Sequence, residues 1–193
     1  MYLHKLAPIA AGAAALFAVS FDANAAVTIL GNNTLAQNCY LAAEVGGDAQ
    51  FGIQTCSTAL DTQPLTVKDR AATLVNRGIL RAEIGDSAGA LADYNHGIQI
   101  NPELGEAYVD RGATLISMKK WSDAVTDINK GLALSAKRPY IAYYDRAIAD
   151  EALGDVRSAY DDYKKAVELE PGFTLATEQL TRFRVIKKSD DGT

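Results

Sequence analysis

From Thr66 onward, apolar and small residues fall three and four places apart and are interrupted at short intervals by glycine, proline or charged pairs. That spacing places them on one face of an α-helix and predicts helices, not strands. Leu74, Arg77, Gly78, Arg81 and Ile84 trace the inward face of a first helix, and Gly85-Asp86 turns the chain. Ala90, Leu91, Tyr94, Gly97 and Ile98 mark the inward face of a second helix, which Pro102 stops. Thr66 and Asp69 form an approximate capping pair where the first helix begins. Further helices are expected over Glu106–Met118 and Trp121–Leu134, then over Tyr140–Leu153 and Val156–Leu169, with Pro139 suited to a first helical turn. Upstream, Cys39–Val45 and Ala49–Leu60 read as two short helices parted by Gly46-Gly47-Asp48. Downstream, Phe173, Ala176, Leu180 and Phe183 keep helical spacing among polar neighbours, which predicts one last amphipathic helix over 173–187 that covers the apolar end.

These helices repeat. Asn76-Arg77-Gly78 aligns with Asp110-Arg111-Gly112 and Asp145-Arg146-Ala147, at steps of 34 and then 35 residues. Ala90, Ala124 and Ala159 fall in register, as do Tyr94, Ile128 and Tyr163, and Gly97, Gly131 and Ala166. A period of this length is that of a helical solenoid, in which each unit is too small to bury its own apolar face and stacks on the next. The predicted fold class is therefore all-α, an α-α superhelix of three repeats, about 71–104, 105–139 and 140–173 within 65–172.

Ahead of the repeats, Lys5 leads into an apolar run from Leu6 to Phe21 followed by Asp22-Ala23-Asn24-Ala25-Ala26. Small residues in that arrangement predict a signal peptide over 1–25, cleaved after Ala25, and no stable membrane span once it is gone. A flexible tail over 26–37 follows. Export to a periplasmic or secreted location is expected to oxidise Cys39 and Cys56, the chain's two cysteines, into a structural disulfide that staples the hairpin over 38–64. Residues 188–193 are expected to be disordered.

Composition narrows the chemistry. The chain has 193 residues, 48% of them hydrophobic, and a net charge of −5. That suffices for a core, and the mild acidity argues against nucleic acid as a partner. Beyond His4 in the leader, His96 is the one histidine, and its place in the repeat is an outward one. No base therefore stands ready for a serine nucleophile, no phosphate-cradling loop is present, and metal chemistry lacks ligands. The reading is not an enzyme, with no cofactor and no metal. Trp121, at the start of a helix, is assigned to packing between helices.

The register resembles the tetratricopeptide repeat. Its large position is filled by Leu74, Tyr108 and Tyr143, and its glycine by Gly78, Gly112 and Ala147. Two departures stand out. The family's leucine before the glycine is Arg77, Arg111 and Arg146, each with an aspartate sixteen residues later: Asp93, Asp127 and Asp162. Sixteen residues run up one helix and down the next, so each pair is expected to form a structural ion pair across its own hairpin. The family's tyrosine is replaced by Arg81, Leu115 and Asp150.

The resemblance implies that the first helix of every pair lines a concave groove. Its floor would be Val75, Asn76 and Ile79, then Glu106, Val109, Asp110 and Ala113, then Ile141, Tyr144, Asp145 and Ile148. The family's clamp for acidic C-terminal peptides uses lysine, asparagine and arginine at such places, and here Asn76 alone fits. The expected function is a non-enzymatic protein- or peptide-binding adaptor of the cell envelope, taking a segment of apolar and basic character. The alternative is a self-associating structural scaffold, a homo-oligomer docked through the ends of its stack.

Overall fold

The structure is a computed structural model and describes residues 5–8, 26–27 and 34–186. Helix α1 spans Thr34–Val45, α2 Ala49–Thr62, α3 Val67–Glu83, α4 Ser87–Ile100, α5 Gly105–Ser117, α6 Trp121–Ala133, α7 Pro139–Leu153, α8 Val156–Leu169 and α9 Thr174–Leu180. Consecutive helices pair as antiparallel hairpins, and each second helix packs on the first helix of the next hairpin. The first helices also touch one another, α1 on α3, α3 on α5 and α5 on α7, so they form the inner wall of the curve. The fold is the expected all-α superhelix.

Side-chain size sets how closely the two helices of a hairpin approach. A Cβ added at Gly78 would lie 2.6 Å from the Tyr94 ring, so the glycine is what lets α4 lay that tyrosine flat against α3. Tyr94 and its counterpart Tyr163 are fully buried. The turns repeat as well: Asp48, Asp86 and Asp155 each cap the following helix by accepting from the amide three residues on.

Those capping residues reveal a register hidden in the sequence. Counting from Asp48 as from Asp86, Gly52 takes the place of Ala90, Cys56 that of Tyr94, Ala59 that of Gly97, and Cys39 that of Arg77. Helices α1 and α2 therefore continue the stack as a fourth, divergent hairpin. Its disulfide, with Cα atoms 4.8 Å apart and the cysteines 17 positions apart in sequence, joins the column of Arg77 to that of Tyr94, the residue after Asp93.

Two expectations about the ends need correction. The final helix stops at Leu180 instead of continuing to residue 187, and Phe183–Ile186 is a short strand (β2) paired antiparallel with Lys5–Pro8 (β1). Phe183 leaves the helical path because its ring packs on Tyr160 and Tyr163, with centroids 5.6 and 5.9 Å away. Helix α9 still covers the end of the stack: Phe173, just before it, meets Tyr140 and Tyr144 edge-on, and Arg182 pairs with Glu151 of α7. Within the stretch expected to be a flexible tail over 26–37, α1 already starts at Thr34 and both Ala26 and Val27 are buried, while residues 28–33 lie outside the described residues. The rest of the expected leader, and residues 188–193, lie outside the described residues.

Candidate functional site: the inner wall of the first helices

Every residue assigned to the groove floor lies on α3, α5 or α7, and every one is buried. The sequence pictured an open trough, whereas the floor residues are closed to solvent. Over Asn76 the cover is the chain itself. The Val27 amide donates to Asn76 Oδ1 at 2.7 Å, and Asn76 Nδ2 donates to the Val27 carbonyl at 2.9 Å. One carboxamide thus satisfies both backbone groups of one residue. Ala26 and Val27 belong to the same apolar cluster as Ala72, Val75, Ile79 and Ala107. Nothing in the periodic pattern announces residues 26–27; the signal available in the sequence was the buried amide at Asn76.

Farther along the wall the same position is acidic. Asp110 and Asp145 are buried on α5 and α7, and Glu106 is buried one turn before Asp110. Burial pushes the Asp145 carboxyl up to about 8, so it holds its proton at neutral pH. The nearby Tyr144 phenol is raised to about 12, chiefly by burial and then by the charge of Asp145.

The arginines are elsewhere, in the seams between hairpins. Arg77 grips Asp93 through Nε and Nη2 at 2.9 and 2.7 Å. Arg111 grips Asp127 with both bonds at 2.7 Å, and Arg146 grips Asp162 at 2.7 and 2.8 Å. Each arginine uses Nη1 to reach back to the preceding hairpin: Arg77 to Ser57, Arg111 to Asn95 and Arg146 to Asn129. These acceptors sit at one repeat position that the sequence reading passed over. Arg111 and Arg146 also lie over the rings of Tyr108 and Tyr143. The two hollows beside these forks are lined by the same repeat positions, among them Asn95, Arg111 and Asp127 in one and Asn129, Arg146 and Asp162 in the other.

His96 is exposed and Trp121 half-buried against the core around α6 to α8. Among the described residues no three His, Cys, Asp or Glu side chains gather to hold a metal ion, and no helix is long and apolar enough to cross a membrane.

Comparison with known proteins bears on both fold and setting. A family model described as tetratricopeptide repeat matches residues 140–173. Sperm-associated antigen 1 of Mus musculus is 31% identical over 134 residues, covering 64% of this chain and 14% of that protein. RNA polymerase II-associated protein 3 of Mus musculus is 32% identical over 114 residues, covering 58% of this chain and 17% of that protein. The chain therefore spans less than a fifth of either relative. Among solved structures, the first TPR domain of human RPAP3 is 28% identical, with a TM-score of 0.56 over 59% of this chain and 89% of that one. MamA from Desulfovibrio magneticus RS-1, at 20% identity and a TM-score of 0.63 over 79% of this chain and 84% of that one, shares the fold. The expected periplasmic or secreted location is overturned by these relatives: the curated ones are mouse proteins, from cells without a periplasm, and one is named for association with RNA polymerase II. Three hairpins in register, the matched third unit and these structural likenesses agree that residues 140–173 match the tetratricopeptide repeat family and that the helical array around them has the tetratricopeptide repeat fold.

Proposed function

We propose that the chain is a non-enzymatic adaptor that holds a peptide segment against the inner wall of α3, α5 and α7. The observation that carries this reading is the Asn76 amide, which binds the N–H and the C=O of a residue lying outside any helix or strand. A wall that takes backbone groups in this way takes segments of other chains by the same chemistry. A related domain, the first TPR of Spaghetti (RPAP3), is recorded bound to the HSP90 peptide SRMEEVD. That peptide ends in acidic residues. Here the wall beyond Asn76 carries Glu106 and Asp110, which disfavour another carboxylate, so the segment preferred is apolar with a basic group.

The test is a fluorescence-anisotropy titration of the full chain with short labelled peptides that share an apolar centre and carry either Lys or Glu flanks. The Lys-flanked peptide is expected to bind more tightly. The preference is expected to be about tenfold, the equivalent of about 1.4 kcal/mol. Equal or tighter binding of the Glu-flanked peptide would count against the proposal.

A further inference from the structure

We infer that Ala26–Val27 is the resident ligand of this wall, held through Asn76, and that a partner segment enters by displacing it. The inference rests on the peptide-binding reading above and adds regulation to it.

Asn76 is fully buried on α3, between Val75 and the next helical turn at Ile79 and Leu80. A carboxamide in such surroundings is costly unless both its donor and its acceptor are satisfied. The two partners it has come from a residue 49 positions away, and both belong to the backbone. Of the three equivalent wall positions, this one alone carries an amide; Asp110 and Asp145 stand in the others. A carboxamide carries an N–H and a C=O side by side and so closes this pair of bonds on one amino-acid residue. The first hairpin of the three is thus the place where a main chain is gripped, and the chain's own main chain is in the grip. Such bonds do not read side chains, so any segment whose residues are as small as Ala26 and Val27 can take over the place. Covalent attachment gives the resident segment a high effective concentration, and an incoming peptide competes against it.

Val27→Pro tests this in the full chain, because proline removes the N–H that Asn76 accepts while leaving every helix of the stack untouched. The probe is a fluorescein-labelled synthetic peptide copying residues 22–33, added in trans. It is expected to bind the Val27→Pro chain at least about tenfold more tightly than the wild type, and adding Asn76→Ala to that variant should abolish the gain. Helical content checked by circular dichroism confirms that each variant is folded. Equal binding to wild type and Val27→Pro overturns the inference, as does no binding to Val27→Pro. The Lys-flanked peptide of the preceding section separates two kinds of failure: if it binds Val27→Pro while the copy does not, self-occupancy fails and the adaptor reading stands. If neither binds, both fail. A wild-type dimer that Val27→Pro converts to monomer would place the segment in a second copy and overturn the intramolecular form.

Discussion

Arg111 reaches across the seam between two hairpins to donate Nη1 to Asn95 Oδ1 at 2.7 Å, while its other nitrogens fork onto Asp127 of its own hairpin. The same three-way grip recurs at Arg77 and Arg146. One side chain therefore fixes the geometry of its own helix pair and that of the contact with the pair before it. Such a grip needs a planar fork with several fixed donors, which arginine has and lysine lacks.

Arg111→Lys is accordingly expected to destabilise the chain by about 1–2 kcal/mol in urea unfolding, and Arg111→Ala by about 2–3 kcal/mol, because the partly buried Asp127 is left without its partner. A double-mutant cycle over Arg111 and Asp127 should return a coupling of about 1–2 kcal/mol. Additive single mutants would contradict the grip.

The disulfide replaces that grip in the first hairpin. Replacing Cys39 and Cys56 with serine is expected to cost about 3 kcal/mol, the entropy of closing a loop of this size. The loss should fall first on α1 and α2, as early amide exchange in those helices while α5 to α8 stay protected. Simultaneous exchange along the whole stack would contradict this.

Stability should depend on pH through Asp145. Its folded carboxyl is raised from the ordinary 3.8 to about 8 by burial, so between those values the folded state holds a proton that the unfolded chain has lost. Stability contributed by this group is full below about pH 4 and declines by about 1.4 kcal/mol per pH unit as pH rises toward 8. Asp145→Asn is expected to flatten this slope and raise the melting temperature at pH 7. A slope unchanged in the variant would show that other groups cause it.

The second repeat lacks the turn chemistry of its neighbours. Lys119 holds φ at 59°, where Gly85 and Gly154 hold 82° and 87°, and Lys120 provides no side-chain cap where Asp86 and Asp155 do. Lys119→Gly with Lys120→Asp is expected to stabilise the chain by about 2 kcal/mol, about 1 from each change. Thermal melts of the single and double variants check this, and an unchanged melting temperature would contradict it.

The repeat was legible because small and aromatic residues recur in columns: Ala90, Ala124 and Ala159 mark where helices touch, and Tyr94, Ile128 and Tyr163 fill the core beside them. Other features gave no such pattern. The first hairpin was obscured as a repeat because Cys39 and Cys56 stand in the columns of Arg77 and Tyr94. Phe183 kept the helical spacing of Phe173 and Leu180, yet its packing on Tyr160 and Tyr163 draws it out of the helix. Asn95 and Asn129 form a column that polar residues on an exposed face do not advertise. The seat of Val27 was invisible for a deeper reason: its bonds come from the backbone, which every residue carries.

The adaptor reading is tested most directly by mapping a bound peptide on the isotope-labelled full chain. With the Lys-flanked peptide at saturation, the largest NMR shift changes are expected at the inner wall, at Val75, Asn76, Ile79, Val109 and Ile148, with the Val27 amide losing its protection. Changes confined to the outer seams around Asn95, Arg111 and Asp127, with Val27 undisturbed, would contradict the account.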